Sequence, residues 1–210
     1  MITIKVSGVR EIVRDLAAMP AALRGDTRAT MNAILSRLHQ IVATEKITAG
    51  GILESRSGLL RQSLDSRIET PSETEITGRL FFDLSVAKYG RLQEFGGTVT
   101  PTRSKNLAIP FPGGPALTDK GAARFGAREF ISNPGVGGFQ SAFVAKGVIF
   151  GKLLHEITPV FILKPSVTLP AREPLKSTLD RERPWIESQF DALAARAATH
   201  INSNTGGSNE

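Results

Sequence analysis

A long apolar stripe between residues 20 and 47 constrains this chain more than any other feature. Leu23, Met31, Ile34, Leu35, Leu38, Ile41 and Val42 fall at helical spacing, which gathers them onto one face of a long amphipathic helix. Such a face must be laid against another apolar layer. Gly25 weakens the first turn by about 1 kcal/mol relative to alanine, and Ala49-Gly50-Gly51 ends the element.

The sequence supplies surfaces to cover that stripe. Ile2 to Val6 alternate and are β-branched, which predicts a short strand. Val9, Ile12, Val13 and Leu16 share a face of a second helical stretch, followed by a turn at Met19-Pro20. Residues 67–70 and 75–84 read as extended, with Ile76, Leu80, Phe82 and Leu84 on one side. Between them Ser57 is a candidate N-cap for a short turn-to-helix unit through Leu64. Tyr89, Leu92 and Phe95 lie at helical spacing before a glycine stop. Beyond residue 142 the pattern is β again, up to a strand over Pro159–Lys164. The last helix presents Leu175, Leu179, Ile186, Phe190, Leu193 and Ala197 on one face, and Pro184 inside it predicts a kink or a break.

Residues 97–147 have a different character. Nine of the chain's 20 glycines, five of its 12 prolines and five of its 11 phenylalanines fall in these 51 positions. They predict a long loop with aromatic side chains to bury, on its own domain or on a partner. A strand over 106–111 must end near Pro110 or lie at a sheet edge. The expected fold is α+β: long amphipathic helices on a small, mainly antiparallel sheet with a Gly/Pro-rich loop insertion. We expect a single domain over 1–201, with 97–147 as the extended loop and 202–210 as a disordered tail.

The chemistry is narrowed by what the chain lacks. Its 210 residues include no cysteine and three scattered histidines, His39, His155 and His200, so thiolate nucleophiles and cysteine-held metals are excluded. Ser85-Val86-Ala87-Lys88 has the Ser-x-x-Lys spacing of penicillin-recognising enzymes, but their Ser-Asp-Asn and Lys-Thr-Gly partners are absent from the sequence. Pro134-Gly135-Val136-Gly137-Gly138 follows a turn rather than a strand, which makes it a poor phosphate cradle and a natural flexible turn. No enzyme activity, cofactor, metal or small-molecule substrate is expected. Nor is a membrane partner, for no apolar run reaches the roughly 18 residues of a transmembrane helix. The formal net charge is +6. Most of it sits in 97–147, where Arg103, Lys105, Lys120, Arg124, Arg128 and Lys146 face only Asp119 and Glu129.

Three blocks in order carry a resemblance. They are Ser57-Gly58-Leu59-Leu60-Arg61-Gln62-Ser63-Leu64, then Tyr89-x-x-x-x-Glu94-Phe95-Gly96-Gly97, then Val167 to Leu175 with its Pro170-Ala171-Arg172-Glu173-Pro174 core. Over about 2–200 the chain resembles the tail-completion or neck proteins of long-tailed bacteriophages, the phage virion morphogenesis family. It departs from the family pattern with Ser57 and Gly97 in place of threonines and with Glu173 inserted before Pro174. The resemblance implies a virion structural protein that completes the head-proximal end of the tail and joins it to the head connector. It implies assembly in the bacterial host cytoplasm as a homo-oligomeric ring, a hexamer, between tail terminator and connector proteins. Tyr89, Glu94, Phe95, Gly96, Pro170, Arg172 and Pro174 then form an interface or scaffold motif. Tyr89 and Phe95 are expected to anchor a short helix to the sheet, and Glu94 to pair with Arg172, within the fold or across a subunit boundary. Arg103, Lys105, Phe111, Phe125, Phe130 and Phe139 are candidate partner contacts on the loop. A passing contact with packaged DNA stays open. The alternative from another class is a non-specific DNA-binding protein that uses the basic 97–147 loop.

Overall fold

In the computed structural model, residues 2–5, 21–48, 51–53, 58–72 and 75–205 are described. In chain order the elements are β1 (Ile2–Lys5), α1 (Ala21–Ile41, extended by a π-helical turn over Val42–Lys46), α2 (Leu59–Gln62), β2 (Leu64–Ser72), β3 (Glu75–Phe82) and α3 (Gly90–Phe95). They continue as β4 (Gly97–Val99), β5 (Leu107–Pro110), α4 (Ala127–Ser132), a 3-10 turn over Pro134–Gly137, β6 (Ser141–Ala145), β7 (Val148–Leu153), β8 (Glu156–Lys164), β9 (Val167–Leu169) and α5 (Pro174–Thr205). The fold is α+β. The readings at Val9–Leu16, Pro20, Ala49-Gly50, Ser57 and 206–210 lie outside the described residues.

Two compact units divide these elements: Met1–Phe95 with Arg172–Glu210, and Gly96–Ala171. In the first, β1, β3 and β2 form an antiparallel sheet in that order. α1 packs on β2, β3 and α5, which buries Met31, Ile34, Leu35, Leu38, Ile41 and Val42 as the stripe requires. The approach is close at Gly78, where an added Cβ would stand 2.5 Å from Met31 Sδ. α5 contributes Leu175, Ile186, Leu193 and Ala197 to the buried face, with Leu179, Trp185 and Phe190 partly buried. Pro184 does not break α5, which is assigned as one helix through Thr205. Its ring and Asp180, whose carbonyl loses the usual donor, are on the exposed side where water can replace that bond. Residues 202–205, expected in a disordered tail, are the last turn of this helix.

The second unit replaces the expected loop. Residues 96–171 hold a two-stranded sheet, β4-β9, and a four-stranded antiparallel sheet ordered β5-β8-β7-β6. Their own apolar core comprises Ala116, Phe125, Phe130, Ile149, Val160 and Phe161. The glycines and prolines are dispersed through turns rather than concentrated in one flexible arm. Lys146 and Gly147, at φ 49° and 76°, make the two-residue β6–β7 turn, the conformation whose twist suits a hairpin. Pro110 ends β5 at a sheet edge, as the sequence requires. Pro159 is accommodated beside a register shift at Ile149/Phe150. The shift leaves Val160 outside the ladder and turns it with Phe161 into the core, both essentially fully buried.

Candidate functional site

Two of the sequence blocks meet at the start of α5. A helix beginning at Pro174 needs acceptors for its first amides, and the residue before it, Glu173, adopts φ 47° and has no short capping side chain. The acceptor arrives from α3. Glu94 Oε2 accepts the N–H of Leu175 and Oε1 accepts that of Lys176, each at 2.9 Å. Glu94 is 2% exposed, so both carboxylate oxygens are spent on the helix N-terminus, where the backbone dipole also favours negative charge. One residue away, Gln93 O accepts the backbone N–H of Arg172 at 3.0 Å. Thr178 Oγ1 donates to Pro174 O at 2.7 Å and tightens the same turn.

Within the chain Glu94 and Arg172 do not pair. Arg172 Nη1 donates to Ile52 O at 2.9 Å instead, because the amides of Leu175 and Lys176 already occupy the carboxylate. The expected anchoring by Tyr89 and Phe95 is also corrected. Tyr89 is 37% exposed and Phe95 60%; the buried anchors of this segment are Gly90 and Glu94. Gly96, in the second unit, has the positive φ of 66° expected for a tight exit. Within that unit Gly97 pairs with Leu169 across β4 and β9. Pro170 is exposed in the segment that follows, and Pro174 is buried as the first residue of α5.

Phe95 does not stand alone. Leu84, Val86 and Tyr89 are exposed nearby in sequence, and a groove of about 340 Å³ is lined by Phe81, Phe82, Leu84, Gly90, Arg91, Glu94 and Phe95. Phe81, Phe82, Leu84 and Phe95 thus gather apolar surface around one concavity. Leu84, expected on the same side of the strand as Leu80 and Phe82, instead lies beyond the end of β3 at Phe82 and is exposed, and Val86 was not singled out from the sequence. Their signal was an apolar pair in the turn that follows β3, where no buried face requires them.

Charge is organised between α1 and α5. Glu182 Oε2 accepts from Arg37 Nε at 2.8 Å and Oε1 from Arg181 Nε at 3.0 Å. Arg181 Nη1 also donates to Glu45 Oε2 at 2.7 Å. The hydrogen bond from Arg37, helped by Arg181 and opposed by partial burial, holds the Glu182 carboxyl below its ordinary value. Arg181 likewise lowers Glu45 and is itself raised by that bond. The Arg37 guanidinium lies 4.4 Å from the centre of the Trp185 ring, a cation–π contact. His39 Nε2 is 3.2 Å from Leu64 O, a bond that joins α1 to β2. No group of three or more His, Asp or Glu side chains is placed to hold a metal among the described residues. No described helix is long and apolar enough to cross a membrane.

The candidate loop contacts are dispersed by burial. Phe125 and Phe130 are core residues, stacked with centroids 5.4 Å apart, and Phe139 packs edge-on against Phe130 at 5.7 Å. These three rings stabilise the second unit internally, which corrects the expectation that Phe125 and Phe130 reach a partner. Phe111 is half-buried and its N–H donates to Val160 O. Arg103 and Lys105 are exposed on an irregular stretch between β4 and β5. No protein-family profile, curated protein or solved structure matches this chain.

Proposed function

We propose that this protein is a structural component of a long-tailed bacteriophage neck, a homo-oligomeric ring subunit that completes the head-proximal end of the tail. Its neighbours in this reading are the tail terminator and connector proteins, and it works by surface complementarity without transforming a molecule. The observation that supports the reading best is the joint made by Glu94 with Leu175 and Lys176. Two of the three blocks carrying the resemblance are parts of one joint, as befits a scaffold. The exposed Phe95 and Tyr89 beside that joint offer the subunit contact. The test is sedimentation and electron microscopy of the purified full chain, alone and mixed with tails. Closed rings that seat on tail ends are expected; a strictly monomeric protein that never enters particles ends the proposal.

The second reading, non-specific DNA binding, draws on Arg103 and Lys105, both exposed in the basic stretch. Duplex DNA affinity that falls steeply with rising salt, without ring formation, favours it over the first.

A further inference from the structure

The four-stranded sheet has two edges of unequal quality. At the β5 edge, Phe111 N–H donates inward to Val160 O, so the preceding Pro110 occupies an outward position where its missing N–H closes the edge to pairing. The β6 edge has no such guard. Ser141-Ala142-Phe143-Val144-Ala145 contains no charge and no proline and keeps a regular register with β7; the irregularity comes just before it, where Gln140 N–H donates inward to Lys152 O at 2.9 Å. Phe143 is 39% and Val144 55% exposed.

We infer that β6 pairs antiparallel with β6 of a second copy, making one continuous eight-stranded sheet across a two-fold axis at Phe143. The two-residue turn at Lys146-Gly147 makes Ala145 and Val148 a hydrogen-bonded pair, so by alternation Ser141 and Phe143 also bond inward to β7. Ala142 and Val144 therefore direct their N–H and C=O groups outward. Centred on Phe143, the two strands set Ala142 opposite Val144 of the second copy and Val144 opposite its Ala142. Each such couple exchanges two backbone hydrogen bonds, so the outward groups satisfy one another with none left over. Phe143 meets its own symmetry mate as a non-hydrogen-bonded pair, the closer kind. It already stacks on Phe150 at 5.4 Å and 19°, so four rings line up across the axis. The nearest cation on this edge, Lys146, falls opposite the neutral Gln140 of the second copy, and no like charges are opposed. This inference is independent of the neck reading, since it rests on the composition and register of β6 alone.

The absence of cysteine makes a register test clean. In the full chain, Phe143→Cys is expected to form a disulfide dimer under mild oxidation, its Cα atoms about 4.5 Å apart across the axis. Ser141→Cys is displaced by four residues, about 14 Å from its mate, and is expected to stay uncrosslinked. Val144→Pro removes an outward N–H and is expected to weaken the sedimenting dimer about tenfold, and Val144→Lys does so without constraining the backbone. A wild-type chain that is monomeric at high concentration overturns the inference. So does equal crosslinking of both cysteine variants, or rings that assemble while Phe143→Cys stays reduced; the last result would leave the neck reading intact.

Discussion

Glu94 Oε2 accepts the backbone N–H of Leu175 at 2.9 Å, across 81 positions of sequence. With the companion bond from Lys176, a side chain on a six-residue helix becomes the cap of a 32-residue one. The joint sets where α5 starts, and α5 in turn covers the apolar face of α1.

Removing that carboxylate has a predictable cost. Glu94→Ala leaves two amides without acceptors in a buried place, for a loss of about 2–4 kcal/mol. Glu94→Gln keeps one acceptor oxygen and should lose about half as much. Urea denaturation of both variants measures the difference, and an Ala variant as stable as the parent would show that water can serve as the cap.

Acid should weaken the α1–α5 contact. Arg37 and Arg181 lower the Glu182 carboxyl from its ordinary value of 4.5, so the unfolded chain binds the proton more readily than the folded one. The stabilisation is fully present above that ordinary value and drains away as pH falls through the lowered one. Denaturation midpoints measured from about pH 6 to pH 3 should therefore decline, and Glu182→Gln should flatten the decline. An unchanged slope in that variant removes Glu182 from the account.

Gly96 is constrained twice. Its φ is 66°, and a Cβ there would lie 2.6 Å from Ala171 N and 2.8 Å from Leu169 O, both backbone atoms. Gly96→Ala should cost about 2–4 kcal/mol, from the left-handed conformation and the forced shift of the neighbouring strand. Amide exchange should show β4 and β9 opening together; protection equal to the parent's would contradict the clash.

Phe130 and Phe95 give opposite expectations. Phe130 is fully buried among Phe125, Phe139 and Phe161, so Phe130→Ala should destabilise residues 96–171 by about 3–5 kcal/mol. Thermal unfolding followed by exchange in that segment reads the loss directly.

Phe95 is 60% exposed, and Phe95→Ser should change folding stability by no more than about 0.5 kcal/mol. If the neck proposal holds, the same substitution lowers the population of rings in sedimentation. A stable variant that still assembles like the parent would move the subunit contact elsewhere.

The helical stripes were legible because their periodicity comes from burial itself: Met31, Ile34, Leu35 and Leu38 are all within 3% of complete burial. The second unit was harder. Its glycines and prolines serve several separate turns, and composition alone cannot distinguish many short turns from one long arm. The Lys146-Gly147 hairpin between apolar runs was the local clue. At the motif, helical spacing identified Tyr89 and Phe95 as a pair but could not say which face of so short a helix is covered. Glu94 was recognisable as a member of the block, yet its partners within the chain are the backbone amides of Leu175 and Lys176 rather than Arg172. The informative signal was at the other end, where Pro174 opens a helix with no Ser, Thr, Asp or Asn directly before it. Such a helix must borrow its acceptor from elsewhere in the chain.

The hydrogen bond between Arg172 N–H and Gln93 O brings the backbone back beside its own point of departure. Everything from Gly96 to Ala171 is thus an excursion with neighbouring ends. A segment whose ends lie this close can be lengthened or trimmed at little cost in loop closure while α1 and α5 keep their packing.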